Sequence, residues 1–86
     1  MLTSLIIADD HPLIRHGLSN IIKSNKNYEL LGEATNGKDA MDLIFDYKPD
    51  IAILDIEMPF MNGLQVCAEI KKEKLSTKVL LTFGNF

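Results

Sequence analysis

Two short apolar runs that end in carboxylates restrict the fold of this sequence more than any other feature. Residues 5–8 are followed directly by Asp9 and Asp10, and residues 51–54 are followed by Asp55. Continuous apolar runs of this length are typical of strands buried on both faces of a parallel sheet. The sequence therefore predicts two buried strands, each followed at its carboxyl end by negative charge.

Helical patterns separate the predicted strands. Apolar residues recur at helical spacing after Pro12, which a first helical turn tolerates. Further strands are predicted over residues 28–34 and 77–83, and further helices before Pro49 and after Gly63. The resulting order, βαβαβαβ, predicts a single α/β unit over residues 1–86, with a parallel sheet and helices on both faces.

Composition excludes several classes of protein. With 86 residues and 47% apolar residues, the chain suits one small globular unit. Its net charge of −3, without a cluster of basic and aromatic residues, argues against direct nucleic-acid binding. The lone Cys67 cannot form an internal disulfide and is expected in the core. No apolar run could span a bilayer and no signal peptide is recognisable, so a cytoplasmic location is predicted.

The carboxylates at the predicted strand ends can form one site. In a flavodoxin-like strand order of 2-1-3-4, the first and third strands are neighbours, and Asp9, Asp10 and Asp55 would share one crevice. Three carboxylates repel one another unless a divalent cation offsets their charge, and Mg²⁺ prefers such oxygen ligands. Asp55 could then attack phosphorus and form an acyl phosphate. For Asp9 and Asp10 the alternative is capping of the following helix.

Three segments carry a family resemblance. They are IADDHPLIR at residues 7–15, DIEMPFMNG at residues 55–63 and VLLT at residues 79–82. Together they resemble the receiver domain of bacterial response regulators in two-component systems. The first segment, with Arg15 and Gly17, is most similar to receivers that precede a NarL-type or LuxR-type DNA-binding domain. The resemblance implies a signalling switch, not a turnover enzyme, that takes a phosphoryl group from a histidine kinase or a small phosphodonor.

The resemblance also implies roles for individual residues. Asp10 and Asp55 would bind Mg²⁺ through their side chains, Glu57 would bind it through its backbone carbonyl, and Asp9 would assist through water or charge. Asp55 would be the phosphoacceptor. Thr82 would contact the bound phosphoryl group and carry the switch. His11 is expected to pack or to point to solvent, without a chemical role.

The chain also departs from the family pattern. Receiver domains run to about 120 residues, whereas the resemblance here covers residues 3–82. We therefore expect a truncated receiver domain that lacks the fifth strand, the last two helices and the Lys that contacts the phosphoryl group in the family. Such a fragment should be impaired in switching. Phe83 and residues 84–86 do not match the family and are expected to be a foreign tail.

Two other functions stay open on the sequence. Residues 79–81 would form an exposed apolar edge, which favours a phosphorylation-independent module that forms homo-oligomers by strand pairing. A phosphatase of the haloacid-dehalogenase type would also use a strand-end Asp55 followed by an acid, here Glu57. That motif fits less well, because that family has its nucleophile on the first strand and Asp as the second acid.

Overall fold

Strands and helices alternate along the chain as the sequence predicts. The computed structural model describes residues 2–83. The elements in this range are β1 Thr3–Ala8, α1 Pro12–Lys23, β2 Tyr28–Ala34, α2 Gly37–Tyr47, β3 Ile51–Asp55, α3 Gly63–Lys72 and β4 Lys78–Thr82. The prediction that residues 84–86 are a foreign tail lies outside the described residues.

The four strands form one parallel sheet in the order β2-β1-β3-β4. This confirms the predicted flavodoxin-like order. The last residues of the two central strands are neighbours, since Ala8 pairs with Leu54. On the other side of β3, Asp55 pairs with Thr82. The carboxyl ends of β1, β3 and β4 therefore lie at the same edge of the sheet.

Both faces of the sheet are covered, which explains the continuous apolar runs. Ile6 and Ala8 face a core that also contains buried residues of α2 and α3. Leu5 and Ile7 point to the opposite face, where Ile22 of α1 packs against them. Because successive strand side chains alternate between faces, a strand buried on both sides needs an apolar residue at every position. The predicted placement of helices on both faces is confirmed.

The N-terminal caps of the helices test the alternative interpretation that Asp10 caps α1. Asn62 and Gln65 form a reciprocal capping box at the start of α3, and the Asn36 side chain accepts a hydrogen bond at the start of α2. The N-cap residue of α1 is His11, and its side chain makes no capping hydrogen bond. Asp10 is therefore not the cap of α1, and that interpretation was wrong.

Several apolar residues are more exposed than their helical spacing predicted. Leu13 is 85% exposed, and Ile21 and Leu64 are also exposed. The reason for the first two is that α1 packs on β1 and β2, so that residues facing away from these strands stay outside the core. Cys67 is only half-buried. Phe83, predicted as the last residue of the fourth strand, lies outside β4 and is 72% exposed.

Candidate functional site

The turn after β1 holds a buried carboxylate. Asp9 is 1% exposed, and its backbone N–H donates to the carbonyl of Ala34 on β2 at 3.1 Å. Its Oδ1 accepts the backbone N–H of His11 at 2.8 Å. These two bonds fix the start of the turn to the sheet and fix the carboxylate to the turn. The next side chain, that of Asp10, is 37% exposed and lies at the mouth of the site.

A second buried carboxylate lies at the end of β3. Asp55 is also 1% exposed. Its Oδ1 accepts the backbone N–H of Glu57 at 3.2 Å. The adjoining residue, Ile56, donates its N–H to the carbonyl of Thr82 at 3.0 Å, which ties the beginning of the loop to β4. The backbone on both sides of Asp55 is thus held by the sheet and by its own loop.

The three carboxylates lie together, as predicted. We call Asp9, Asp10 and Asp55 the acidic cluster. One carboxylate oxygen from each member and one ring nitrogen of His11 all lie within 4.8 Å of one another. Oδ2 of Asp9 is buried and has no hydrogen-bond partner among the residues that the structure describes. A buried, unsatisfied carboxylate oxygen beside other carboxylates fits a hard divalent cation such as Mg²⁺.

His11 lies inside this cluster, which the sequence analysis did not predict. Its Nδ1 is 2.8 Å from Asp9, 3.2 Å from Asp10 and 3.4 Å from Asp55, measured to carboxylate oxygens. The hydrogen bond to Asp9 raises the pKa of His11 above 6.5, and the charges of the acidic cluster act in the same direction, whereas desolvation opposes them. The signal in the sequence was a histidine directly after two acids, before Pro12 fixes the start of α1.

A cleft of about 470 Å³ opens beside the acidic cluster. Its walls come from the turn after β1 and from the loop between β3 and α3: Asp10, His11, Ile56, Glu57, Met58, Pro59 and Asn62. The Glu57 side chain is exposed and its carboxylate is not part of the group of mutually close ligand atoms. The predicted metal contact of Glu57 through its backbone carbonyl stays a prediction.

Thr82 lies next to Asp55 across the β3–β4 pair, where the sequence analysis expected it. Its Oγ1 is buried and has no hydrogen-bond partner within residues 2–83. A buried hydroxyl without a partner is costly, so this atom has an unused capacity to donate to a group bound near Asp55. Its predicted contact with a phosphoryl group stays a prediction.

Arg15 stabilises the turn after β1 through a hydrogen bond to its backbone. The sequence analysis did not assign this role to Arg15. Its Nη1 donates to the backbone carbonyl of Asp9 at 2.9 Å. Its Nε is 3.6 Å from Oε1 of Glu33 on β2, and Oε2 of the same carboxylate accepts a hydrogen bond from Ser19. Glu33 therefore holds Arg15 at the base of the turn that carries two members of the acidic cluster.

Comparisons with known proteins agree with this fold. The sequence matches the response regulator receiver domain family over residues 5–84. It is 38% identical over 84 residues to the transcriptional regulatory protein YdfI of Bacillus subtilis (strain 168), covering 98% of this chain and 39% of that protein. The chain spans about two fifths of the length of the curated relatives that it matches.

Solved structures give the same result. The signal receiver domain of the response regulator NarL from Mycobacterium tuberculosis has a TM-score of 0.94 at 36% identity, over 99% of this chain and 68% of that one. A DNA-binding response regulator of the LuxR family from Staphylococcus aureus has a TM-score of 0.90 at 49% identity, over 98% and 72% of the two chains.

The chain therefore belongs to the response regulator receiver domain family, and NarL and LuxR-family regulators are among its relatives. Receiver domains are signalling domains of two-component systems and are in general not enzymes. Histidine kinases phosphorylate these domains, which bind Mg²⁺ at an acidic pocket. None of the helices in the described range has the length and hydropathy of a membrane span.

Proposed function

We propose that this chain accepts a phosphoryl group on Asp55, with a divalent cation bound in the acidic cluster. The observation that carries the proposal is the convergence of buried Asp9 and Asp55 with Asp10 within 4.8 Å, beside an open cleft. The cleft, lined by Asp10, His11 and the loop that follows Asp55, offers a phosphodonor an open approach to the acidic cluster. The donor would be a histidine kinase or a small acyl phosphate.

The reaction is a single displacement at phosphorus. A carboxylate oxygen of Asp55 forms a bond to phosphorus, and the bond from phosphorus to the donor breaks, with its electron pair leaving on the donor. The N–H of Glu57 on Oδ1 orients the carboxylate. Asp9, Asp10, Asp55 and the carbonyl of Glu57 would hold Mg²⁺, which would offset charge on the phosphoryl oxygens.

Signal output would start at Thr82. Its unpartnered hydroxyl beside Asp55 can donate a hydrogen bond to a phosphoryl oxygen, and this bond would draw the end of β4 towards the site. In the intact protein the change would reach a DNA-binding output domain. For this chain, we propose phosphoryl acceptance without turnover.

Intact mass spectrometry tests the proposal. The protein is incubated with Mg²⁺ and acetyl phosphate, and we expect a gain of one phosphoryl group that is lost at alkaline pH. Asp55→Asn should abolish the gain, because an amide does not displace acetate. Asp42→Asn, at an exposed position of α2, is the matched control and should be labelled like the unchanged protein. Persistent labelling of Asp55→Asn would overturn the assignment.

Exposed apolar surface on β4 favours a second function, assembly with another copy of the chain. In the described sheet β4 pairs only with β3, so its outer edge has free backbone groups. Leu80 is 55% exposed. Such an edge favours strand addition. Size-exclusion chromatography with light scattering should find an oligomer at micromolar concentration, and Leu80→Lys should shift it to monomer. A monodisperse monomer of the unchanged chain would contradict this function.

A steady-state assay separates acceptance from catalysis. With p-nitrophenyl phosphate as the donor, the proposed function gives at most one equivalent of p-nitrophenol for each chain. Sustained release of p-nitrophenol that depends on Asp55 would instead favour a phosphatase of the haloacid-dehalogenase type.

A further inference from the structure

The outer edge of β4 presents backbone groups that can pair with another strand. The N–H of Lys78 and the carbonyl of Thr82 form hydrogen bonds with residues that flank β3. Successive residues of a strand direct their backbone groups to opposite sides. The N–H and C=O groups of Val79 and Leu81 therefore point away from β3, where the described sheet has no further strand.

A second copy of the chain can pair with this edge about a two-fold axis, which makes the two β4 strands antiparallel. The register that uses the whole of β4 places Leu80 on the axis, opposite Leu80 of the partner subunit. Val79 then exchanges its outward hydrogen bonds with the partner's Leu81. Leu80, which is 55% exposed, becomes covered. In this register Lys78 of each subunit comes to lie opposite Thr82 of the other.

The alternation of side chains places the partner's Lys78 on the same face of the sheet as Asp55. Val79 and Leu81 pack against the core that contains residues of α2 and α3. Lys78 and Thr82 therefore face the other side, and so does Asp55, which pairs with Thr82. Opposite residues of paired strands share a face. Helix α1 packs on β1 and β2 and leaves this face of β4 open.

We propose that two copies of the chain pair through β4, and that Lys78 of the partner subunit binds the phosphoryl group on Asp55. The proposal rests on both proposed functions and joins them. A phosphoryl group adds negative charge beside the acidic cluster, and an ammonium group is a strong donor to it. Lys78 is exposed. With strands about 4.8 Å apart, the partner's β4 lies roughly 10 Å from β3, a gap that the four-carbon stem of a lysine and the phosphoryl group together span.

Arg15 is less available for this charge. Its guanidinium group is already bound by the carbonyl of Asp9 and by the Glu33 carboxylate. A lysine that arrives only with a second copy makes the two events interdependent, because coupling between two binding equilibria is reciprocal. Phosphorylation of Asp55 therefore strengthens the pairing of β4, and pairing favours phosphorylation.

Disulfide cross-linking tests the register without phosphoryl chemistry. In a Cys67→Ser background, a Lys78→Cys chain is mixed with a Thr82→Cys chain and treated with oxidised glutathione. Opposite side chains at a non-hydrogen-bonded position of an antiparallel pair are close enough for a disulfide, so the mixture should give a linked dimer. Each variant alone should not. A mixture of Lys26→Cys with Thr82→Cys is the control and should stay unlinked, because Lys26 lies in the turn before β2, at the other edge of the sheet.

Mixed dimers test the contribution of Lys78 across the interface. Lys78→Met should be labelled by Mg²⁺ and acetyl phosphate at least about tenfold more slowly than the unchanged chain, the effect of one lost hydrogen bond between charged groups. Lys26→Met loses the same charge and should be labelled normally. Excess Asp55→Asn chain, which keeps Lys78 but has no acceptor, should restore labelling of Lys78→Met. An Asp55→Asn chain that also carries Lys78→Met should not restore it, and intact mass identifies the labelled chain.

The two experiments separate this inference from the proposed functions. Labelling of Lys78→Met at the unchanged rate, equal rescue by both Asp55→Asn chains, or failure of the Lys78–Thr82 cross-link would overturn the inference alone. A cross-link in a protein that takes up no phosphoryl group would refute phosphoryl acceptance, and the role of Lys78 with it, while the paired assembly would stand.

Discussion

Gly63 lies directly behind Asp55: a Cβ atom on Gly63 would be only 2.5 Å from the backbone carbonyl oxygen of Asp55. The N–H of Gly63 also donates to the carbonyl of Ile56 at 3.0 Å. The start of α3 is therefore packed against the backbone that carries the phosphoacceptor candidate. No other residue type allows this approach, because every other side chain begins with the atom that would collide.

Gly63→Ala should destabilise the fold and displace the end of β3. The colliding atom is backbone and cannot rotate away, so we expect a loss of about 1 to 3 kcal/mol in the free energy of unfolding, the range for overpacking. Urea denaturation followed by circular dichroism measures it. The control is Gly17→Ala, where an added Cβ meets nothing within 4 Å. Inside α1 that change should raise stability by roughly 0.5 to 1 kcal/mol. A stable Gly63→Ala variant would contradict the packing described.

Mg²⁺ should stabilise the protein through the acidic cluster. A ligand that binds only the folded state adds RT ln(1 + [L]/Kd), about 2.7 kcal/mol at a hundredfold excess over Kd. We expect thermal unfolding to move to higher temperature with Mg²⁺ and back again with EDTA. In Asp55→Asn the shift should be largely lost, since one charged ligand is gone. Asp42→Asn should keep the full shift, and a shift that survives in Asp55→Asn would exclude Asp55 as a ligand.

The sequence predicts the fold well because the strands are buried on both faces. Such strands appear as uninterrupted apolar runs, as residues 5–8 and 51–54 do. The two strands are neighbours in a flavodoxin-like order of 2-1-3-4, which the sheet has, and this order brings the acidic cluster together. The helical faces were less well predicted, because spacing identifies a candidate face but not whether a neighbouring element covers it, as exposed Leu13 shows.

Contacts between residues distant in the sequence were not predictable in the same way. Glu33 and Arg15 belong to different elements. The register of β2 on β1 brings the Glu33 carboxylate close to Arg15, beside the turn that follows β1. The contact of the His11 ring with the acidic cluster was not predicted for a different reason. The position of this ring depends on a side-chain torsion and on the balance between hydrogen bonding and solvent exposure. The ring is 41% exposed although it contacts the acidic cluster.

The pKa of His11 should lie above 6.5 in the metal-free protein. The hydrogen bond to Asp9, aided by the charges of the acidic cluster, favours the protonated ring. NMR titration in the His16→Ala background leaves a single histidine to follow, and Asp9→Asn should lower its pKa. A raised folded-state pKa means that this contribution to stability is complete below pH 6.5 and is lost as the pH rises through the folded-state value. A measured pKa at or below 6.5 would contradict the contact.

Arg15→Met should weaken both the fold and cation binding. The change removes the charged hydrogen bond to the carbonyl of Asp9 and leaves Glu33 without its ion-pair partner, and we expect a loss of about 1 to 2 kcal/mol in the free energy of unfolding. Cation affinity should fall too, because the turn that presents Asp9 and Asp10 loses its support. A double-mutant cycle with Glu33→Gln isolates the pair. If Glu33 acts by holding Arg15, the double variant should be barely worse than Arg15→Met alone, whereas strictly additive losses would mean that the two side chains act independently.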